Sequence, residues 1–145
     1  MKFLVINGPN LNLLGLREPA IYGTKNYAAL VEFCESACRE AGFACEVFQS
    51  NHEGAIVDKI QAAYVVFDGI VINPSAYTHT IVAILDALKA VAIPAVEVHL
   101  SDVDAREPFR HVSYAGLACF TRFTGLGFEG YRQAVLALKD RLNAG

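Results

Sequence analysis

Apolar positions fall in short blocks separated by polar turns, and the blocks alternate between two periods. Lys2 to Asn7 is an apolar run that stops at Gly8-Pro9 and reads as a first strand. A long stretch without periodicity follows, from Gly8 to Lys25. Asn26 is then placed to cap a helix in which Tyr27, Leu30, Val31, Cys34, Ala37, Cys38 and Ala41 share one face. Gly42 ends that helix, and Ala44 to Gln49 reads as the second strand. Ser50-Asn51-His52-Glu53 has the spacing of a capping box and predicts a helix that buries Ile56, Val57, Ile60 and Ala63. Phe67 to Asn73 is predicted as a third strand, apolar on both faces as a covered parallel strand requires, and Pro74 stops it. Thr78 is expected to open a third helix carrying Ile81, Leu85 and Leu88. Pro94 breaks that run, and Ala95 to His99 is the fourth strand. Gly116 to Arg122 is expected as the fifth, and Phe128, Tyr131, Val135, Leu138 and Leu142 line a final helix.

Alternating strands and helices imply βα units with right-handed crossovers. Five such units in 145 residues predict an α/β fold. The expected architecture is a flavodoxin-like doubly wound sheet of five parallel strands with helices on both faces, in a single domain over residues 1–145. Composition narrows the function. The chain is 54% hydrophobic and 19% charged, which excludes a disordered protein and leaves surplus apolar surface for contacts between copies. The net charge is −3 and no run of Lys or Arg occurs, so no nucleic-acid partner is expected. The apolar runs fall short of the roughly 20 residues of a membrane span, so no membrane partner is expected either. The N-terminus turns polar at Asn7 and reads as a strand rather than a signal peptide. A cytoplasmic location is expected. Cys34, Cys38, Cys45 and Cys119 lack Cys-x-x-Cys spacing and read as buried thiols of a reducing compartment.

In an open α/β sheet, ligands bind at the C-terminal ends of the strands. The residues there are Asn7 to Asn12 after the first strand, Ser50, Asn51 and His52 after the second, and Asn73, Ser75, Tyr77 and His79 after the third. Glu97, His99 and Ser101 end the fourth, and Arg17, Tyr22, Arg106 and Arg110 lie in loops on the same edge. This set holds no nucleophile elbow and no phosphate-binding glycine loop. It does hold proton-transfer groups and polar anchors, which point to acid–base chemistry on a small polar anion. Strand alternation puts Glu97 and His99 on one face, where a carboxylate can fix the imidazole tautomer. A free phenol titrates near ~10, so Tyr22 needs a downshift of roughly 3 units to act as a base near pH 7. A guanidinium such as Arg17 can supply much of it if water is excluded. Simpler roles stand beside these. Asn73 can cap a turn, His79 can begin a helix, and Asp86, mid-helix among apolar neighbours, is either solvated or a contact between copies. The four histidines lack tight metal-ligand spacing, so no metal site is expected.

Several blocks together carry a resemblance. Gly8-Pro9-Asn10-Leu11-Asn12-Leu13-Leu14-Gly15, Arg17-Glu18-Pro19 and Tyr22-Gly23 resemble the N-terminal signature of the type II 3-dehydroquinate dehydratases. Gln49 to Gly54, Asp68 to Pro74 with Tyr77-Thr78-His79-Thr80, and Glu97 to Ser101 with Ala105-Arg106-Glu107 are similar to the same family. The resemblance implies dehydration of 3-dehydroquinate to 3-dehydroshikimate without a cofactor, by anti elimination through an enolate. That step serves aromatic amino-acid biosynthesis or quinate breakdown. By motif, Tyr22 would take the C2 proton, Arg17 would depress its pKa, and Asn10 would help hold the enolate oxygen. His99 would protonate the departing hydroxyl, oriented by Glu97. Asn73, His79, Arg110 and the backbone around Leu100 and Ser101 would hold the substrate, and loop 17–25 would act as a lid. The family forms trimers that assemble into dodecamers, a tetramer of trimers, in which the Asp86 equivalent reaches a neighbouring subunit's site.

The chain departs from the pattern at Asp102, where Asn is frequent, at Leu85, where Arg commonly precedes the helical Asp, and at Val112, where His is common. Residues 115–125 follow the family poorly. These changes bear on subunit contacts and the substrate-carboxylate rim. Three other classes are compatible with the fold alone: a flavin or phosphate-binding module, a receiver-type signalling domain, and a non-catalytic relative kept for assembly. The first lacks a Ser/Thr-rich phosphate cradle, the second lacks an Asp where Asn73 stands, and intact Arg17, Tyr22 and His99 argue against the third.

Overall fold

Five strands lie side by side in the order β2-β1-β3-β4-β5, all parallel. They are β1 (Lys2–Asn7), β2 (Ala44–Gln49), β3 (Gly69–Asn73), β4 (Ala95–His99) and β5 (Thr121–Thr124). The helices are α1 (Tyr27–Ala41), α2 (Glu53–Ala62), α3 (Val82–Val91) and α4 (Glu129–Ala144). The computed structural model describes residues 1–16, 25–79 and 82–144. Arg17, Tyr22, Ile81 and nearly all of the expected lid lie outside the described residues.

Strand alternation splits the core in two. Phe3, Val5, Val71, Val96 and Val98 face Leu30, Cys34 and Cys38 of α1 and Tyr131, Val135 and Leu138 of α4. Leu4, Ile6, Ile70 and Ile72 face Ile56 and Ile60 of α2 and Ile84 and Leu88 of α3. β1 and β3 are therefore buried on both faces, as a doubly covered sheet demands. α1 begins as expected, with the Asn26 side chain accepting the Ala29 N–H at 2.9 Å, and ends on Gly42 in the left-handed region at φ 91°.

Four local expectations need correction. Ser50 does not cap α2. Its hydroxyl accepts the His52 N–H at 3.0 Å in a tight turn, and His52 precedes the helix without a side-chain cap. β3 starts at Gly69 rather than Phe67. Asp68 precedes it and is bonded to Lys2 twice: its N–H donates to the Lys2 carbonyl at 2.8 Å and its carboxylate accepts the Lys2 N–H at 2.8 Å. Thr78 lies inside a 3-10 turn, Ser75–His79, and α3 starts at Val82. β5 starts at Thr121, because Ala115–Ala118 forms a further 3-10 turn packed against β4 and α3.

Candidate active site

The strand order reverses between β1 and β3, which is where an open α/β sheet leaves a crevice at its strand ends. Here the two exits approach so closely that a side chain at Gly8 would place its Cβ 2.5 Å from the Pro74 carbonyl oxygen. The Gly8 N–H donates to the Asn73 carbonyl at 2.8 Å. A cleft of about 160 Å³ opens beside this junction. Asn10, Asn73, Ser75, His79, His99, Leu100, Ser101, Arg106 and Arg110 line it.

Glu97 and His99 stand on the α2/α3 face of β4. Glu97 is wholly buried and His99 is 5% exposed. His99 Nε2 lies 2.8 Å from Glu97 Oε2. Thr78 and Ser113 hydroxyls also reach Oε2, each at 2.6 Å. Burial is the largest influence on the Glu97 carboxyl and pushes its pKa up. The hydrogen bond and the charge of His99, with the hydrogen bonds from Ser113 and Thr78, together outweigh it and hold the carboxyl below the usual range. Glu97 is therefore an anion at neutral pH, and an anion only accepts. The Nε2 proton of His99 is fixed by that fact, which leaves Nδ1 as the nitrogen able to exchange a proton with the cleft.

His79 follows at a ring-to-ring distance of 6.4 Å from His99, with planes inclined by 19°. Its Nδ1–H donates to the Val112 carbonyl at 2.6 Å, so Nε2 is its available acceptor. Burial lowers the His79 pKa, helped by neighbouring His99 and Arg110, which favours that neutral ring. The contact is to backbone, so it does not depend on the residue type at 112. Asn73 is anchored through Oδ1 to the Ser75 N–H at 3.1 Å and through Nδ2 to the Tyr131 hydroxyl at 2.9 Å. That leaves its second amide proton for the cleft.

Asn10 sits in the left-handed region at φ 69°, and its N–H donates to Asn51 Oδ1 at 2.9 Å. Gln49 Nε2 braces the same loop through the Gly8 carbonyl at 3.1 Å and Asn51 Oδ1 at 3.1 Å. The Tyr77 hydroxyl donates to the Asn51 carbonyl at 2.7 Å. On the far rim, Arg110 Nε donates to Glu107 at 2.5 Å, and Arg106 lies 4.0 Å from the same carboxylate. Two half-buried guanidinium groups on a cleft also lined by Leu100 and Ser101 suit a ligand carboxylate.

The structure thus brings Asn10, Asn73, His79, His99, Leu100, Ser101 and Arg110 to one cleft, with Glu97 directly behind His99. Asp86 is not in it: it lies exposed on α3. Three side chains were missed from sequence. The spacing marks Thr78 only as a helix opener, Ser113 lies in a segment without periodicity, and Tyr131 falls at an apolar helix position. No local pattern marks a hydroxyl whose partner is 16 or more residues away. Among the described residues no group of three or more His, Cys, Asp or Glu is placed to hold a metal ion.

A 2-1-3-4-5 parallel sheet with a buried carboxylate–imidazole pair at its strand ends defines a flavodoxin-like α/β protein equipped for proton transfer. The family model described as dehydroquinase class II matches residues 1–139. The chain is 55% identical over 142 residues to a 3-dehydroquinate dehydratase of Lachnospira eligens, covering 97% of both chains. It is 58% identical over 134 residues to catabolic 3-dehydroquinase 1 of Aspergillus terreus, covering 92% of this chain and 88% of that relative. The crystal structure of the type II dehydroquinase from Butyrivibrio crossotus is similar at a TM-score of 0.92 and 53% identity, covering 95% of this chain and 97% of that one. The chain belongs to the class II dehydroquinase family.

Proposed function

We propose that this protein dehydrates 3-dehydroquinate to 3-dehydroshikimate, and that the residues of the cleft divide the work by protonation state. The observation that carries the reading is the buried Glu97–His99 pair, its proton-bearing nitrogen fixed, at the wall of a cleft with cationic residues on its rim. The Tyr22 phenolate takes the C2 proton, with the Arg17 guanidinium stabilising that phenolate. The electron pair of the broken C–H bond moves toward the ketone, and Asn10 helps hold the enolate oxygen. The enolate then collapses, the C1–O bond breaks, and His99 gives its proton to the departing hydroxyl, which leaves as water. Glu97 steadies the imidazolium before transfer and orients the ring throughout. Asn73 and His79 hold substrate hydroxyls. Arg110 and the Leu100–Ser101 backbone hold the carboxylate. The C–H electron pair ends as the C1=C2 double bond, the C–O pair leaves with the oxygen, and two protons move, so the step calls for no redox group.

The active form on this reading is a homo-oligomer, a dodecamer built from four trimers. Exposed apolar side chains support this, among them Leu16, Val65, Phe109 and Leu117. So does Asp86, which is exposed and apart from its own chain's cleft, as a residue serving a neighbouring site must be. No described helix is long and apolar enough to cross a membrane. The cytoplasm is the proposed location, since a reducing compartment suits four free cysteines.

The test is a rate assay that follows the ultraviolet absorbance of the conjugated enone product. Turnover is expected, it should survive borohydride because no Schiff base forms, and Tyr22→Phe should lower kcat by about 10²–10⁴-fold. A folded, assembled sample that leaves 3-dehydroquinate untouched would overturn the assignment.

A further inference from the structure

Two hydroxyls converge on a single carboxylate oxygen behind the cleft. Thr78 Oγ1 and Ser113 Oγ each lie 2.6 Å from Glu97 Oε2 and 2.6 Å from one another. With His99 at 2.8 Å, Oε2 receives three donors. Oε1 of the same wholly buried group receives none among the described residues. A buried carboxylate left to itself would spread its donors over both oxygens, since each has unmet lone pairs.

The backbone enforces the one-sided arrangement. The Gly116 N–H donates to Ser113 Oγ at 3.0 Å, which occupies a lone pair and directs the serine's own proton elsewhere. The Thr78 carbonyl accepts the Tyr114 N–H at 2.7 Å, tying the β3 exit to the segment that carries Ser113. A Cβ at position 116 would stand 2.7 Å from Glu97 Oε1 and 2.8 Å from Ser113 Oγ. The carboxylate occupies its present place only beside a glycine. The other ionisable groups around Glu97 are His79 after β3, Cys119 before β5, Arg122 opposite it in the β4–β5 register, and His111 on the wall of the same rear pocket.

We propose that Thr78 and Ser113 are positioning residues, a hydroxyl clamp that commits one oxygen of Glu97 to His99 while Gly116 makes room for the other. The clamp serves protonation of the leaving hydroxyl and not abstraction of the C2 proton. This rests on the dehydration reading above. Without the clamp the carboxylate loses two charge-assisted hydrogen bonds and its fixed orientation. His99 then loses the partner that steadies its proton until the hydroxyl departs. Tyr22, acting on C2, is not served by these contacts.

The experiment measures two rates on 3-dehydroquinate in deuterated water, using the assembled enzyme and its Thr78→Val, Ser113→Ala and Thr78→Ser variants. One is product formation. The other is exchange of the C2 hydrogen in recovered substrate, read by NMR. Thr78→Val and Ser113→Ala should each slow product formation about ten- to hundredfold, the scale of a lost hydrogen bond to a charge, with KM nearly unchanged. The ratio of C2 exchange to product formation should rise at least about tenfold, because enolate still forms and returns. Thr78→Ser, which keeps the hydroxyl, should restore the wild-type ratio. An unchanged ratio, or a change confined to KM, would overturn the clamp and leave the hydroxyls as packing. Ser113→Ala, at a half-buried position, carries the test if Thr78→Val does not fold. Wild-type protein without turnover would strike the dehydration reading itself. Wild-type turnover with unaffected variants strikes the clamp alone.

Discussion

Two buried polar networks stand at neighbouring strand ends, and they are built on opposite principles. At the ends of β1 and β3, the Tyr131 hydroxyl donates to Asn7 Oδ1 at 2.6 Å and accepts the Asn73 amide at 2.9 Å. Two amides and a phenol meet donor to acceptor at both contacts, and the network ties two strands to α4 at zero or near-zero exposure. At the end of β4, Glu97 concentrates its donors on one oxygen and, among the described residues, finds none for the other. A satisfied neutral network fixes geometry and costs little to keep. A buried charge costs several kcal/mol unless its partners are well placed, and a protein optimising stability alone gains little by retaining one. The contrast teaches where to look for chemistry: at the network whose bonds are lopsided, not at the one whose bonds balance.

The comparison breaks most easily at His99. His99→Ala should reduce kcat by about 10²–10⁴-fold in protein that is still folded without denaturant, and it should also lower the unfolding midpoint, because buried Glu97 loses a partner. Steady-state kinetics alongside urea denaturation would decide it, and a loss below tenfold would make the β4 pair as structural as its neighbour. Tyr131→Phe probes the opposite network. Removing one hydroxyl deprives two buried amides of a partner, so the protein should lose about 1–3 kcal/mol of stability with a far smaller effect on kcat than His99→Ala. Equal damage to rate would erase the distinction. The smallest effect is expected from pH. The Glu97 carboxyl is held below the usual carboxylate range, so its stabilising contribution is fully present above the unfolded value of roughly 4.3. It is lost as pH falls through the lower folded value. Urea midpoints taken through that acid window should drop more steeply for the wild type than for Glu97→Gln, and parallel curves would show that the clamp does not hold the charge.

Much of this was legible in the sequence because its cause is local. Asn26 and Gly42 bound α1 through their own side-chain and backbone chemistry, and the alternation in Lys2–Asn7 and Ala95–His99 sets the faces of β1 and β4. The strand-end rule then gathers Asn10, Asn73, His79 and His99 without any coordinates. The failures share one source, a polar group taken by a distant partner. The Asp68 carboxylate takes the Lys2 amide just ahead of β3, and Thr78 gives its hydroxyl to Glu97 instead of capping a helix. Gly116 sits in a 3-10 turn against Glu97, so the strand expected there is pushed back to Thr121. Ser50 failed for the reverse reason: a contact two residues on served its hydroxyl before the helix could.

Asn10 and Ser75 face the cleft with backbone φ angles of 69° and 55°, a region that costs most residues of order 1 kcal/mol or more. Each is pinned by a side-chain amide oxygen of the protein itself, Asn10 by Asn51 and Ser75 by Asn73. That conformational cost is therefore met when the chain folds, before any substrate arrives. The two loops enter binding with little reorganisation energy outstanding, so the affinity they confer measures the contacts they make and not the entropy of ordering them.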